Sequence, residues 1–256
     1  MSMLKVEDLH VYYGSIHAIK GVSFEVNEGE IVTLIGANGA GKTTVFNLLT
    51  KVYQPTMGTI LINGRDTAGM NTVQANKLGI ARTFQNIRLF GNMSVEDNVR
   101  IGLHNQITYS TASGIFRLPA FWKGEHEQHE RALDLLSIFD MQDQASVKAG
   151  SLPYGAQRRL EIVRALATNP SLLLLDEPAA GMNPHETEEL MENIAKIRDK
   201  FKIAVMLIEH DMNLVMGICE GICVLNYGRV IAKGTPEEIQ NNPIVIEAYL
   251  GKRKEG

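Results

Sequence analysis

The sequence has 256 residues, of which 45% are hydrophobic and 21% are charged, and its net charge is −4. This composition is typical of a globular chain with a substantial core, and the absence of a basic excess argues against a nucleic-acid partner. The first residues alternate in polarity and no apolar run approaches the roughly 20 residues of a membrane span, so we expect a soluble chain without a signal peptide.

The N-terminal region reads as strands. Residues 4–12 and 22–26 alternate apolar and polar side chains, which is the period of a half-buried strand. Tyr12 and Tyr13 would face opposite sides of such a strand. One of them could stack on an adenine ring, because an aromatic face suits any base. Alternatively, both are ordinary strand tyrosines.

The stretch Gly36-Ala-Asn-Gly-Ala-Gly-Lys-Thr43 lies between an apolar run at 31–35 and a helix-like run at 44–49. This strand–loop–helix context predicts a phosphate-binding loop. Lys42 could reach the β- and γ-phosphates, and the Thr43 hydroxyl could ligate Mg²⁺. The predicted nucleotide contacts here are Gly36, Asn38, Gly39, Ala40, Gly41, Lys42 and Thr43, together with Thr44 at the start of the helix-like run.

Residues 59–64 predict a strand that ends in an Asn-Gly hairpin turn. Residues 80–84 predict another strand, which ends on Gln85. A polar side chain at the carboxyl end of a strand is well placed for the ligand crevice of an α/β sheet. Taken by itself, Gln85 would mean little.

Residues 90–168 are mostly helical in pattern. Ser94, followed by acidic residues, predicts a helix N-terminus. Residues 104–124 look irregular. They contain a small aromatic cluster, Phe116, Phe121 and Trp122. In the helix that follows, His126 and His129 lie among glutamates, which favours a solvated face over a metal site.

The run from 171 to 175 predicts a buried parallel strand that delivers Asp176 and Glu177 to its carboxyl end. Burying two acidic side chains there costs free energy unless they bind a cation or transfer a proton. Asp176 would hold Mg²⁺, and Glu177 could polarise a water molecule. Just upstream, the glycine-containing loop 151–157 precedes a helix predicted at 158–168 and is a second potential anion site.

The last third of the chain predicts an amphipathic helix at 184–201 and a buried strand at 203–208 that leads to His210. A lone histidine is more often structural, but this one would lie at the same sheet edge, which favours a function. The two cysteines, Cys219 and Cys223, lack metal-ligand spacing, so we expect both to be buried.

Taken in order, the loop 36–43, Gln85, the loop 152–157, the pair Asp176-Glu177 and His210 resemble the ATP-binding subunits of ABC transporters. The resemblance covers nearly the whole chain. It implies an α/β fold, namely a P-loop NTPase (RecA-like) core with an N-terminal antiparallel β-subdomain and an inserted helical subdomain.

The resemblance also implies a single ABC ATPase domain over residues 1–256. Residues 1–90 and 169–256 would form the β-subdomain and the RecA-like core. Residues 91–168 would form the helical subdomain with the signature loop.

The same resemblance implies a role for each candidate side chain. Tyr13 would stack on adenine, and Gln85 would lie near Mg²⁺ and the attacking water. Asp176 would bind Mg²⁺. Glu177 would be the general base, and His210 would contact the γ-phosphate.

Two loops depart from the family pattern. Where the family has Leu-Ser-Gly-Gly-Gln, this chain has Leu152-Pro-Tyr-Gly-Ala156, which removes a hydroxyl at Pro153 and a glycine at Tyr154. Gly155 and the helix N-terminus remain, and the loop would close on ATP held by a second ATPase subunit, identical or a paralogue. Asn183 replaces the usual aspartate of the D-loop. The predicted catalytic residues are unaffected, so we expect hydrolysis.

Within the family, residues 82–90, the insert with Phe121-Trp122 and residues 176–184 resemble LivG-type subunits of branched-chain amino-acid importers, whereas the first 40 residues resemble the LivF type. This implies permease subunits as partners and an extracytoplasmic substrate-binding protein reached through them. It also implies a peripheral location on the cytoplasmic side of the membrane. The aromatic cluster would either join the permease-docking surface or cap the helical subdomain.

Other functions stay open at this point. ATPases of lipopolysaccharide exporters and urea importers share much of the motif set, and no transported substrate touches this chain. A non-transport ABC ATPase would usually carry a coiled coil, a second cassette or a basic face. A nucleotide-binding scaffold without turnover is suggested only by the altered signature loop.

Overall fold

The computed structural model describes residues 2–106 and 109–250. The strands are β1 (Ser2–Tyr13), β2 (Ile16–Asn27), β3 (Ile31–Ile35), β4 (Met57–Ile62), β5 (Arg65–Asp66), β6 (Ile80–Arg82), β7 (Leu172–Asp176), β8 (Ala204–Ile208), β9 (Gly221–Asn226) and β10 (Arg229–Gly234). The α-helices are α1 (Lys42–Leu49), α2 (Thr72–Lys77), α3 (Val95–Leu103), α4 (Thr111–Ile115), α5 (Pro119–Leu136), α6 (Tyr154–Leu166), α7 (Pro184–Phe201), α8 (Met212–Ile218), α9 (Pro236–Gln240) and α10 (Pro243–Leu250). Short 3-10 helices lie at His104–Gln106, Ser137–Phe139, Gln142–Gln144 and Ala149–Ser151.

The strands pair into two sheets, which confirms the predicted α/β class. One sheet is antiparallel with the order β2-β1-β4-β5. The other has the order β10-β9-β3-β8-β7-β6, and every neighbouring pair from β9 to β6 is parallel. The carboxyl ends of β3, β6, β7 and β8 therefore lie along one edge, so the loops that follow these strands can form a common site.

The strand β7 shows why the parallel sheet is stable. All of its residues are buried, as expected for a strand that is covered on both faces. Leu172 and Leu174 pack with the side chains of β1, β2 and α1, whereas Leu173 and Leu175 pack with those of α3, α6 and α7. The alternation of side chains along a strand places a separate hydrophobic cluster on each face, and both clusters hold the carboxyl edge in place.

The helical segment, residues 90–168, differs in part from the prediction made from the sequence. Residues 104–124 are not irregular, since α4 and the start of α5 lie there; residues 107–108 are outside the described part. Pro119 occupies the first turn of α5, where a missing N–H costs nothing. The subdomain boundaries at 91 and 168 stay a prediction. None of the helices within the described ranges is long and apolar enough to cross a membrane.

Two predicted boundaries next to the site were wrong. The helix α6 begins at Tyr154 rather than at Arg158, because Pro153 forms its N-cap and the glycine after Tyr154 is tolerated in a first turn. The strand β6 ends at Arg82, so Gln85 lies three residues beyond it, in a loop. Among the described strands β6 pairs only with β7, and the pairing ends at Arg82.

The aromatic cluster has one inward and two outward members. The ring of Phe121 packs edge-on against Tyr109 and Trp122. Phe116 and Trp122 are 74% and 58% exposed. The cluster therefore covers part of the helical segment while it presents two aromatic rings to solvent.

Both cysteines are buried free thiols, as predicted, which leads to a test with a thiol reagent. Burial raises the pKa of Cys219 and Cys223 to about 12. Because the thiolate is the nucleophile, neither residue is expected to react with Ellman's reagent in native protein at pH 8. Two thiols per chain should react after unfolding in guanidinium chloride. Rapid labelling of the native protein would contradict the packing.

Candidate functional site

The phosphate loop follows β3 and is shaped by close contacts to its glycines. A Cβ on Gly36 would overlap the carbonyl oxygen of Leu225, and one on Gly41 would contact the side chain of Ile19. Gly41 has φ 107° and is the N-cap of α1. Only glycine fits this combination of positive φ and close packing. The loop is therefore held between β2 and β9, with the N-terminus of α1 directly behind it.

The Lys42 side chain lies across this loop. Its Nζ donates to the carbonyl oxygens of Gly36 at 2.7 Å and Ala37 at 3.2 Å. Burial lowers the pKa of the Lys42 ammonium, while the nearby carboxylates of Glu177 and Asp176 oppose this shift. The ammonium is thus prepositioned by its own loop and faces the acids at the end of β7.

The other predicted contacts in the loop differ in exposure. Asn38, Gly39 and Thr43 are exposed, whereas Ala40 is buried and Thr44 is half-buried. The N–H of Ala40 donates to the carbonyl of Ala37, and its carbonyl accepts from the N–H of Gly228. The loop therefore has exposed residues at its edge, whereas the turn at Ala40 is held by backbone hydrogen bonds.

Asp176 is buried and paired with an arginine that sequence reasoning did not single out. Nη2 of Arg82 lies 2.8 Å from Oδ2 of Asp176, and both side chains are 6% exposed. Nη1 of Arg82 donates to Oδ1 of Asn47 on α1 at 2.7 Å. The rings of Phe46 and Phe84 lie against the guanidinium. The pair links β6, β7 and α1 beneath the phosphate loop.

Glu177 joins two other predicted residues. Its Oε2 accepts from Nε2 of Gln85 at 3.0 Å, and its Oε1 lies 2.8 Å from Nε2 of His210. Its backbone has φ 49°, which is uncommon for a side chain with a Cβ. The structure thus brings together loops that follow β6, β7 and β8 on one carboxylate.

A buried glutamate organises the loops around His210. Glu209 accepts from the backbone N–H of Ala179 and of His210, each at 3.0 Å. Burial raises the pKa of the Glu209 carboxyl group, and these backbone donors oppose the shift. The carboxylate therefore ties the loop after β7 to the loop after β8. No sequence pattern pointed to this role.

Two predicted contacts lie outside this group. The Tyr13 ring is 45% exposed and contacts Tyr53 edge-on. It ends β1 in the hairpin with β2, which packs on the phosphate loop through Ile19. Gly155 is buried, and a Cβ there would contact Glu186 at the start of α7. Neither residue contacts Glu177 among the described interactions.

The structure reveals one further connection that sequence reasoning missed. The guanidinium of Arg158, on α6, donates to the carbonyl oxygen of Glu177 and to that of Gln85. These partners are 19 and 73 residues away in the chain, so no local spacing could have signalled the contact.

Comparisons with known proteins agree with this geometry. Residues 19–180 match the family model described as ABC transporter. Residues 229–255 match the model described as branched-chain amino acid ATP-binding cassette transporter.

Individual relatives match over almost their full length. The "high-affinity branched-chain amino acid transport ATP-binding protein LivG" of Salmonella typhimurium is 48% identical over 98% of both chains. The corresponding protein BraF of Pseudomonas aeruginosa is 46% identical, again over 98% of both chains. A crystal structure of the ADP conformation of an ATP-binding cassette of an ABC transporter has a TM-score of 0.85 at 30% identity. The match covers 98% of this chain and 100% of that one.

The packing of Gly36 gives a test of the phosphate loop. In Gly36→Ala the added methyl group would overlap the Leu225 carbonyl oxygen, and overpacking of this kind costs about 1–3 kcal/mol. We expect a lower melting temperature and weaker binding of a fluorescent ATP analogue. The matched control is Gly114→Ala on α4, since a Cβ there would lie 3.7 Å from the Tyr109 ring, which is an ordinary van der Waals contact. Unchanged nucleotide affinity in Gly36→Ala would contradict the loop geometry.

Proposed function

The chain belongs to the ABC transporter family of ATP-binding proteins, and on that premise we propose that it is the ATP-hydrolysing subunit of an importer for branched-chain amino acids. The family identifies it as a transporter ATPase. The convergence of Gln85 and His210 on Glu177 beside the phosphate loop carries the catalytic part of the proposal. The match at residues 229–255 and the named relatives support the choice of substrate.

The residues present fit a nucleotide with a magnesium ion. Asn38, Gly39 and Thr43 line an open rim, and Lys42 supplies a cation behind it. Among the described residues, no cluster of three or more histidine, cysteine or acidic side chains could hold a metal by itself. This agrees with Mg²⁺, which is usually bound through one or two carboxylates together with substrate phosphates. Thr43, Gln85 and Asp176 would hold it, and it would neutralise charge on the phosphates.

The proposed reaction is an in-line attack of water on the γ-phosphorus of ATP. Glu177 accepts a proton from the water as the new P–O bond forms, and the bond to the β-phosphate oxygen breaks. The products are ADP and inorganic phosphate. Lys42 and His210 stabilise the charge that develops on the transferred group. Gln85 and His210 orient the carboxylate through the contacts already described.

The adenine end and the signature loop complete the proposed site. Tyr13 is exposed next to the phosphate loop, so its face is available for stacking. Pro153 and Tyr154 are also exposed, at the start of α6. We assign the loop 152–156, with the N–H of Gly155, to the γ-phosphate of ATP held by a second ATPase subunit, either a second copy or a paralogue.

The proposal includes partners in the membrane. The second ATPase subunit and this chain would drive permease subunits from the cytoplasmic side, and the permease would receive its amino acid from an extracytoplasmic binding protein. The exposed rings of Phe116 and Trp122 support a docking role for this part of the helical segment.

The catalytic part is tested with Glu177→Gln. The amide cannot accept the proton from water, so hydrolysis of Mg-ATP should fall by about 10²–10⁴-fold. Because the side chains of Gln85 and Lys42 are unchanged in this variant, ATP should still bind. Light scattering should then show an ATP-dependent dimer. The control is Glu189→Gln, a surface residue of α7. Hydrolysis by Glu177→Gln at the wild-type rate would contradict the assignment.

The substrate is tested by transport in the organism that encodes the chain. Disruption of its gene should lower the uptake of radiolabelled leucine, isoleucine and valine. A plasmid copy of the wild type should restore uptake, whereas the Glu177→Gln copy should not. Urea uptake serves as the control. Loss of urea uptake with normal leucine uptake would contradict the assigned substrate.

A further inference from the structure

Arg158 is a charged side chain in the core of the molecule. It lies in the first turns of α6, six residues after Leu152, where the signature loop begins. Its exposed fraction is 0%. A buried guanidinium is costly unless it is paired and hydrogen-bonded. Its Nε has no hydrogen-bond partner among the described residues, so the partners of its two Nη atoms indicate what the charge is retained for.

The partners of Arg158 are backbone atoms of the catalytic loops. Nη1 donates to the carbonyl oxygen of Phe84, and Nη2 donates to that of Gln85 at 2.8 Å. Nη2 also donates to the carbonyl oxygen of Glu177 at 3.2 Å. One planar group therefore fixes the loop after β6 relative to the loop after β7.

The charge of Arg158 is balanced within its own helix. Nη1 lies 3.0 Å from Oε2 of Glu161, which is 1% exposed. The other carboxylate oxygen of Glu161 accepts from the backbone N–H of Arg88 at 3.2 Å. The pair thus adds a further attachment between α6 and the segment that follows Gln85.

The contact to Glu177 matters because the backbone of this residue is strained. A left-handed conformation at a residue with a Cβ persists only where its surroundings hold it. At Glu177 the N–H donates to the carbonyl of Ile208 at 2.9 Å, and the carbonyl accepts from the N–H of Ala180 at 3.1 Å and from Arg158 at 3.2 Å. With both peptide groups fixed, the side chain is aimed at Gln85 and His210.

We propose that Arg158 is a positioning residue for hydrolysis. It holds the backbones of Glu177 and Gln85 in a fixed position relative to the signature loop, which lies at the start of the same helix. The inference rests on the proposed function of Glu177 as the base. It also assigns a coupling role. When the signature loop 152–156 contacts nucleotide held by the partner subunit, α6 moves. The Arg158 guanidinium transmits this movement to Glu177 of its own chain.

The neighbouring residue Arg159 offers a matched control. It also lies on α6 but pairs with Glu189 on the surface, and the two side chains are 25% and 48% exposed. It has no bond to the catalytic loops among the described contacts. The same substitution at 158 and 159 therefore separates the carbonyl contacts from a general effect of the helix.

The experiment compares Arg158→Lys with Arg159→Lys in the full-length protein. A lysine retains the charge opposite Glu161 but cannot bridge three carbonyl oxygens in one plane. We expect Arg158→Lys to lower kcat by about 10²-fold, because small displacements of a catalytic group have effects of this size. KM for ATP and the affinity for a fluorescent ATP analogue should stay at the wild-type values. Arg159→Lys should match the wild type in all readouts.

A double substitution tests whether Arg158 acts through Glu177. In the Glu177→Gln background, Arg158→Lys should cause no further loss of residual hydrolysis. A further loss as large as the one that Arg158→Lys causes in the wild-type background would overturn the proposal. A wild-type kcat in Arg158→Lys alone would also overturn it. A parallel fall in kcat, nucleotide affinity and melting temperature would show a merely structural role and would also overturn it.

A measurement without any change at 158 covers the case in which Arg158→Lys does not fold. Hydrogen exchange of Glu177→Gln, with and without Mg-ATP, should show a joint change in protection at 152–160, 83–86 and 175–179. A change confined to 152–160 would overturn the coupling. Absence of hydrolysis by the wild type, or full hydrolysis by Glu177→Gln, would instead reject the proposed function.

Discussion

The site depends on the backbone conformation of Glu177. The chain leaves the buried strand β7 and turns at once through a left-handed residue with φ 49°. Such a conformation costs about 1–3 kcal/mol at a residue other than glycine and has to be held by its neighbours. Here Ile208 bonds the N–H of Glu177, and Ala180 and Arg158 bond its carbonyl oxygen. Because the backbone turns here, the Glu177 carboxylate contacts Gln85 and His210.

A second constraint is the set of buried charges around this turn. Arg82 pairs with Asp176, and Glu209 binds two backbone N–H groups. Lys42 is held against its own loop. Buried charges of this kind are costly unless partners compensate them; here only Nε of Arg82 lacks a hydrogen-bond partner among the described atoms of these side chains. The edge of the sheet is therefore polar, and its charged side chains are held by these contacts without a nucleotide, which is the kind of preorganisation that phosphoryl transfer requires.

Residues that are close in sequence could be assigned from the sequence, and residues that meet only in space could not. The phosphate loop and the strand β7 have local patterns, and the carboxyl-edge rule then predicts that Gln85, Glu177 and His210 approach one another. The Arg82–Asp176 pair spans 94 residues and has no local signature. The helix α4 and the first turns of α5 were missed because an exposed aromatic cluster interrupts their apolar period, and Pro119 reads as a break although it begins a helix.

The most direct test of the account is a crystal structure of the chain with Mg²⁺ and a non-hydrolysable ATP analogue. The account predicts that Glu177 keeps its positive φ and its bond to Arg158. It also predicts that the Glu177 carboxylate lies about 3 Å from a water molecule in line with the γ-phosphate. A Glu177 side chain turned away from the nucleotide, with that water bound by another residue, would contradict the account.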